Sequence, residues 1–511
     1  MGAIYKLKYA FISGVLLGFS YPLVEGIPNG ILAWFAFVPF LLDQRQQKTF
    51  KSFFLESAVF VLSFLFVDVW WVGYYKFHYM LIGVLDIAPF YLLPLFLYFF
   101  FKNKLGWHKA LLTLPFLWAA NDWFIHLLPH SMQVYLLPYT QANNIWVVQF
   151  TDLTGMYGIS FWLIMMNILI ALAIDKKSKL AYIKPALWLL LPLVYSFWCM
   201  KIHPKGITGL GNLKSKVSII QTNQDSYAIH DSKHSQKLFD EIFSLSDSAV
   251  SKDQPDLLVL PEGTIPFDLM HNQNMLSYTR QAINAWQTSV AVGFVEYPDT
   301  SNRQFFKNNV IVFTPQLAGY WDSLQIKPED VKVYQKEHGV PFSELMPYFE
   351  KSITPAGRAM IRGHEPYVFR YQNFDDQMFN VALTICWEQL FPEKMASLVD
   401  NGAQFVALMN NDAWFGKTQG AYQLQSITRL RAIENRRSIV RSSNGGISCF
   451  IDPFGEVYSK LPWYTSTLGT EEVLMVTKKS FFTKYPEWFP KFCLAILILI
   501  LGVGLIKRRN I

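Results

Sequence analysis

Two hydrophobic patterns divide the chain. Up to about residue 200, apolar residues run almost continuously, in seven stretches near 8–24, 28–43, 52–73, 80–101, 107–127, 156–174 and 181–200. An eighth lies near 490–506. Most approach the roughly 20 residues needed to cross the hydrocarbon core of a bilayer. The second and sixth are short and are expected to tilt or to extend into their flanks. Lipid offers the backbone no hydrogen-bond partner, so such segments must be helical. The pattern therefore predicts eight transmembrane helices.

Between residues 215 and 480 the period changes. KVSIIQT (216–222), DLLVLPE (256–262), SVAVGFV (289–295), NVIVFTP (309–315), FNVALTIC (379–386) and AQFVALM (403–409) read as buried strands. Residues 231–251, 267–287, 389–401 and 419–436 read as helices. Strands alternating with helices predict an α/β domain whose sheet faces are covered. The stretch 316–378 is poorly periodic and rich in proline and charge, which predicts long loops over a site. No repeat or low-complexity tract is present. The expected organisation is a seven-helix membrane domain (1–204), an α/β domain (205–485), and a last membrane helix with its tail (486–511).

Composition agrees with a membrane protein. Of 511 residues, 52% are hydrophobic and only 16% charged, well below the roughly 25% typical of soluble domains. The 43 Phe, 25 Tyr and 16 Trp suit interfacial belts. WFIHLLPH (123–130) and WVVQF (146–150) would form such a belt or a ledge for lipid. The net charge of +7 is modest. Its Lys and Arg lie mostly between apolar runs, so they read as topology signals and not as a nucleic-acid surface.

Lys6 and Lys8 precede the first span. Arg45, Lys48 and Lys51 follow the second, Lys102, Lys104 and Lys109 the fourth, and Lys176, Lys177, Lys179 and Lys184 the sixth. Lys507, Arg508 and Arg509 end the chain, whereas the alternate loops hold Lys76 and little else. This bias places both termini in the cytoplasm and residues 205–485 on the outer side. No A-x-A-like site follows the first span and a second comes at once, so the first span reads as an anchor and not as a cleaved signal.

Of the four cysteines, Cys199 and Cys493 lie in apolar runs and Cys449 in the strand-like GISCFID. No spacing suggests a disulfide framework or zinc, and no motif points to an organic cofactor. Cys386 closes FNVALTIC, Glu262 closes DLLVLPE, and Lys336 lies in the loop-like VYQKEHGVPFSELMP. Singly, each has an ordinary reading: a buried thiol, a helix-cap partner, a solvated lysine. Together they supply what thiol chemistry requires: a nucleophile, a base to take its proton and a cation for the developing oxyanion. Strand ends of α/β sheets are also where such groups gather.

LPEGTIPF (260–267), KEHGVPFSELMP (336–347), CWE (386–388) and NNDAWFG (410–416) resemble motifs of the nitrilase superfamily. With RLRAIENRRSIVRSSNGGISCFIDPFGEV (429–457) and PYTQANNIWVVQFTDLTGMYGISF (138–161), the chain is more narrowly similar to the membrane branch of that superfamily, the apolipoprotein N-acyltransferases. The resemblance covers both halves of the chain in order. It implies an αββα sandwich set between the seventh and eighth membrane helices, a catalytic triad of Glu262, Lys336 and Cys386, and supporting carboxylates at Glu344 and Glu388. It also implies the substrates: a membrane phospholipid as acyl donor and the α-amine of a diacylglyceryl-modified cysteine of an apolipoprotein as acceptor, in the inner membrane of a bacterium with the catalytic domain in the periplasm. Trp387 stands where Tyr is common, and Leu424 where many relatives have His; QTNQDSY (221–227) matches loosely and lends no binding residue.

An apolar donor suits the membrane platform, since moving an acyl chain into water costs about 0.8 kcal/mol per methylene. Two other functions compete. A membrane-tethered amidase would share the triad and release its product to water. A transporter or scaffold would instead rely on ionisable residues within the spans, of which Asp68, Asp86 and, near a span end, Asp122 are the main acids. The Arg429, Arg431, Arg436 and Arg437 cluster suits pairing with acids such as Glu434 better than phosphate binding. Asn410, Asn411 and Asp412 are expected to shape a turn behind the site.

Overall fold

The computed structural model describes residues 2–24, 27–46, 49–75, 77–128, 133–208, 213–224, 232–265, 268–299, 302–321, 326, 331–346, 349 and 352–509. Lys48, Lys76, Pro129, His130, residues 225–227, Pro266, Phe267 and Pro347, which entered the readings above, lie outside them, as do the side chains of Lys6, Lys507, Arg508 and Arg509. The chain forms two compact units. One comprises Met1–Pro204, Thr418–Leu430 and Lys484–Ile511; the other comprises Lys205–Lys417 and Arg431–Thr483.

The first unit is helical. Among the described residues, four helices are long and apolar enough to cross a membrane: Phe50–Val69, Phe77–Leu105, Tyr157–Lys176 and Lys179–Ile202. Leu7–Gly18, Asn29–Asp43 and Trp488–Gly502 are apolar but shorter. The hydropathy pattern predicted eight transmembrane helices, and two of the regions are interrupted for a visible reason. The second is broken into a 3₁₀ turn, Asn29–Trp34, and a short helix, Val38–Asp43, with Pro39 in its first turn. The fifth is interrupted between Trp107–Leu111 and Leu114–Leu127, again at a proline, Pro115. Proline lacks the N–H that a continuing helix requires.

The break in the second region has a built-in remedy. The Asn167 carboxamide accepts from the Phe37 N–H at 2.9 Å and donates to the Ala33 and Leu163 carbonyls at 2.8 and 2.9 Å. Irregular backbone at membrane depth is tolerated only where protein groups satisfy it in this way. Asp68, weighed above as part of an ion path, accepts a 2.5 Å hydrogen bond from Gln423, whose side-chain oxygen takes the Trp71 indole N–H at 3.0 Å. Gly420 lies flat on that indole, and a Cβ there would meet the ring at 2.5 Å. Residues 418–430 are thereby tied to the apolar helices with which they are grouped.

The second unit is a two-sheet α/β domain. Its strands are β1 (Lys214–Gln221), β2 (Leu257–Val259), β3 (Ser289–Glu296), β4 (Phe305–Phe313), β5 (Tyr334–Gln335), β6 (Ala359–Met360), β7 (Val368–Gln372), β8 (Met378–Ile385), β9 (Phe405–Asn411), β10 (Ser438–Asn444), β11 (Cys449–Ile451), β12 (Val457–Lys460) and β13 (Thr467–Leu474). One sheet runs β13-β1-β2-β3-β4-β5, with β6 beside β4; the other runs β12-β11-β10-β9-β8-β7. The centre of each is parallel: β1-β2-β3 in the first, β8-β9-β10 in the second. Such strands are covered on both faces, which is why they read as unbroken apolar runs. Phe379, Val381, Leu383 and Ile385 of β8, with Phe405, Ala407 and Met409 of β9, share one core with Val217, Ile219, Val259, Val290 and Val292 of the other sheet. Helices Ser232–Asp253 and Gln273–Trp286 add Leu238, Phe239, Ile242, Leu276 and Ile283 to the same core.

The stretch read as loops, 316–378, also contains structure. Helix Pro315–Tyr320 opens it, and β5, β6 and β7 lie within it as short strands at sheet margins. Two-residue strands and an edge strand carry too few residues to show a period.

Candidate active site

The three reactive groups come from three strand ends. β2 runs out at Val259, and Leu260–Pro261 lead to Glu262; its N–H donates to the Asn410 carbonyl at the end of β9, at 3.3 Å. β5 ends at Gln335, and Lys336 is fixed there through its own backbone: its N–H donates to the Asn308 carbonyl at 2.8 Å and its carbonyl accepts from Gly363 at 2.9 Å. β8 ends at Ile385, and Cys386 opens a 3₁₀ turn, Cys386–Leu390.

Lys336 is the hub. Its Nζ donates to Glu262 Oε1 at 2.9 Å and to Glu344 Oε2 and Oε1 at 2.8 and 3.1 Å, with only 1% of the side chain exposed. Glu344 also accepts from the Val340 N–H at 2.8 Å, and Glu262 from Asn308 Nδ2 at 2.8 Å. A buried ammonium is tolerable when paired and fully hydrogen-bonded. Burial works to lower the Lys336 pKa, but Glu262 and Glu344 overcome it and hold the amine charged, above its ordinary range.

The two acids respond differently. Burial raises Glu262, and although Lys336 pulls the other way, the carboxyl stays above the usual range, with the Glu344 charge adding to the rise. Burial also opposes ionisation of Glu344, but Lys336 and the hydrogen bonds from Lys336 and Val340 prevail and leave it low. The two carboxyls are thus shifted in opposite directions, Glu344 toward its anion and Glu262 toward its protonated form. The Cys386 thiol is pushed well up, first by burial and then by the Glu262 charge, with Lys336 opposing. The sulfur is thus shifted toward its thiol form, and Glu262 is the charged neighbour that raises it most.

Cys386 has φ +50°, a left-handed conformation that costs a non-glycine residue on the order of 1–3 kcal/mol. Side chains of the same turn hold it. Glu388, fully buried, accepts from the Ile385 N–H at 2.9 Å through Oε2, and from the Glu337 N–H at 2.8 Å and the Tyr334 hydroxyl at 2.5 Å through Oε1. Gln389 Nε2 donates to the Cys386 carbonyl at 2.9 Å. Glu388 therefore links the cysteine turn to both sides of Lys336. Lys394, 2.7 Å from Glu337, lies over the Tyr334 ring.

All five residues singled out in the sequence, Glu262, Lys336, Glu344, Cys386 and Glu388, are thus brought into one buried cluster. Asn410 and Asn411 end β9, and Asp412 pairs with Arg441 on β10. Arg431 bonds Glu434, while Arg437 donates to the carbonyls of Ala403 and Lys478. Asn308, Tyr334, Gln389 and Arg441 were not foreseen. A signal existed for Asn308: an Asn pair inside FFKNNVIVF, an otherwise apolar strand, calls for buried partners.

The region 216–478 matches the family described as carbon-nitrogen hydrolase, and residues 13–169 match that described as apolipoprotein N-acyltransferase N-terminal domain. An apolipoprotein N-acyltransferase of Chlorobaculum tepidum is 30% identical, over 98% of this chain and 96% of its own. One of Geobacter metallireducens is 26% identical over 98% and 95%. Among solved structures, an amidase from Nesterenkonia sp. is 16% identical, with 56% of this chain and 99% of the amidase covered and a TM-score of 0.37. The matched family and the two-sheet fold define an enzyme of the carbon-nitrogen hydrolase class, in a chain that also holds helices long and apolar enough to cross a membrane. Within that class, the chain belongs to the apolipoprotein N-acyltransferase family and is an acyltransferase.

Proposed function

We propose that the chain moves a fatty acyl group from a membrane phospholipid to the α-amine of the S-diacylglyceryl cysteine of an apolipoprotein, through a thioester on Cys386. N-acylation of lipoproteins is the reaction of its family. The observation that carries the mechanism is the Lys336 ammonium, held between Glu262 and Glu344 beside a buried thiol.

The exchange has two halves. Glu262 takes the Cys386 proton, and the sulfur adds to the donor ester carbonyl. Lys336 and a backbone N–H of the Cys386 turn hold the oxyanion, each such donor being worth roughly 2.7–4 kcal/mol where measured. Collapse expels the lysophospholipid alkoxide, which takes the proton from Glu262 and leaves the acyl-thioester. The acceptor amine then attacks the thioester, its proton passes to Glu262, and the amide forms as sulfur leaves and regains a proton. Glu344 keeps Lys336 charged throughout, and Glu388 fixes the turn that carries the sulfur.

The same reading completes the topology: eight helices crossing the inner membrane, both termini cytoplasmic, and the domain of residues 205–485 in the periplasm between the membrane domain of 1–204 and the last helix of 486–511. The charge bias of the short loops supports it, as does the last long span, Lys179–Ile202, only 17% of whose apolar window is covered by protein.

The test is to incubate purified protein with phospholipid and no acceptor, then weigh the Cys386 peptide. The expected result is one acyl chain in thioester linkage, discharged by a diacylglyceryl-cysteine peptide to give an N-acyl product. Absence of the adduct, or release of free fatty acid alone when the peptide is added, would overturn the reading.

A further inference from the structure

The Cys386 turn holds a polar pair for which the two-step scheme has no use. Gln389 is fully buried, and its Nε2 donates both to the Cys386 carbonyl at 2.9 Å and to Asn410 Oδ1 at 3.3 Å. Asn410, also fully buried, stands beside the cysteine because the parallel register of β8 and β9 sets Ile385 against Met409. Its own Nδ2 has no hydrogen-bond partner. Two carboxamides in an apolar interior, one of them half-satisfied, are a costly arrangement where aliphatic side chains of similar volume would pack without cost. Ile385, Leu390 and Met409 beside them are apolar and fully buried.

Peptide geometry shows what the pair does. A trans peptide is planar, so the carbonyl of Cys386 and the N–H of Trp387 point in opposite directions. Gln389 draws that carbonyl inward, toward Asn410. The Trp387 N–H is thereby turned to the other side of the same peptide, away from Asn410. The peptide leaves a left-handed Cys386 to enter a short 3₁₀ turn, and the Gln389 side chain adds a hydrogen bond that helps to set its rotation.

We propose that Gln389, seated by Asn410, is a positioning residue that orients the Trp387 N–H as an oxyanion donor for acyl transfer at Cys386. Asn410 fixes the carboxamide plane of Gln389. Gln389 fixes the Cys386–Trp387 peptide, and the peptide presents the donor. Neither side chain touches the acyl group. This rests on Cys386 being the nucleophile.

The test separates two reactions of one sulfur. Alkylation of Cys386 by iodoacetamide needs a thiolate and access but develops no oxyanion. Acylation by phospholipid needs both. Gln389→Met keeps the side-chain length and removes the donor. The expected result is acylation of Cys386 slowed on the order of 10²-fold, as for loss of one oxyanion donor, with the alkylation rate within about threefold of the parent and the pH dependence of alkylation unmoved. Gln389→Glu, which sets an acceptor against the carbonyl, should lose acylation to the same degree. Should Gln389→Met not fold, the pair Gln389→Met/Asn410→Leu, which leaves no orphaned amide, takes the same two measurements. Unchanged acylation overturns the proposal. So does a parallel fall in both rates, which would make Gln389 a support for the sulfur alone. A parent protein that is alkylated but never acylated instead sinks the thioester reading of the preceding section, so the two failures are distinct.

Discussion

Arg441 donates two hydrogen bonds to Asp412, Nη1 to Oδ2 at 2.6 Å and Nη2 to Oδ1 at 3.1 Å, and neither side chain has any exposed surface. The same Nη1 reaches the Ile447 carbonyl at 2.6 Å. The pair ties the turn after β9 to β10 and to the loop beyond it, directly behind the strand end that meets Glu262. Gly446 passes so close to Asp412 that no Cβ fits there.

A buried pair of this kind is most damaging when only one partner is lost, because the survivor keeps its charge without compensation. Arg441→Leu should lower stability by about 3–5 kcal/mol. Arg441→Leu/Asp412→Leu should recover part of that loss. Thermal unfolding in detergent measures both, and a double variant less stable than the single one contradicts this account.

With Glu262 as the base proposed above, the acid limb of the rate profile should follow its carboxyl. Burial places it above the ordinary carboxylate range of about 4.3, and its neighbours move it in opposite directions. Asn308 donates to it and lowers its pKa, so Asn308→Ala should shift the acid limb of kcat/KM to higher pH. Glu344 raises it by charge, so Glu344→Gln should shift that limb to lower pH, with a loss of rate as Lys336 loses one of its two anions. Two shifts of the same sign, seen in acylation rates between about pH 4 and pH 8, would remove Glu262 from the role of base.

Asp452 lies far from this chemistry but titrates in an accessible range. Burial raises its pKa to about 6, against the hydrogen bonds it accepts from Glu456 and Phe454. The folded state therefore holds the proton more tightly than the unfolded chain, whose value is about 3.9. That stabilisation is complete below about pH 4 and is lost as pH rises through about 6. Asp452→Asn should consequently raise the melting temperature at pH 8, by up to about 2 kcal/mol in stability, and bring little gain at pH 4. A gain independent of pH would show that the carboxylate is not the cause.

Asn167 carries the break at residues 35–37. Asn167→Leu strands the Phe37 N–H and the Ala33 carbonyl at once. In membrane helices such bonds are worth about 1–2 kcal/mol, and the expected loss lies at the upper end because two partners are orphaned. Denaturant titration in mixed micelles reads it. A variant as stable as the parent would mean that solvent or lipid reaches the break.

The sequence by itself determined where the chain is apolar and with what period. That was enough for the four long apolar helices, for the central strands of both sheets, and for placing Glu262 and Cys386 just past the ends of apolar strands. Lys336 and Glu344 were legible through a resemblance of motifs, since a charged loop has no period to read. What only the tertiary structure decided were relations across long separations. Asn308 meets Glu262, Tyr334 meets Glu388, and Arg441 meets Asp412, in each case from different strands or turns. Tertiary contacts also decided where an apolar stretch can be interrupted: the stretch that hydropathy alone reads as whole breaks before Pro39, and the distant Asn167 satisfies the backbone at the break. Hydrophobicity is additive along the chain and survives as a pattern. A hydrogen bond or a buried charge exists only once folding has brought its partner within about 3 Å.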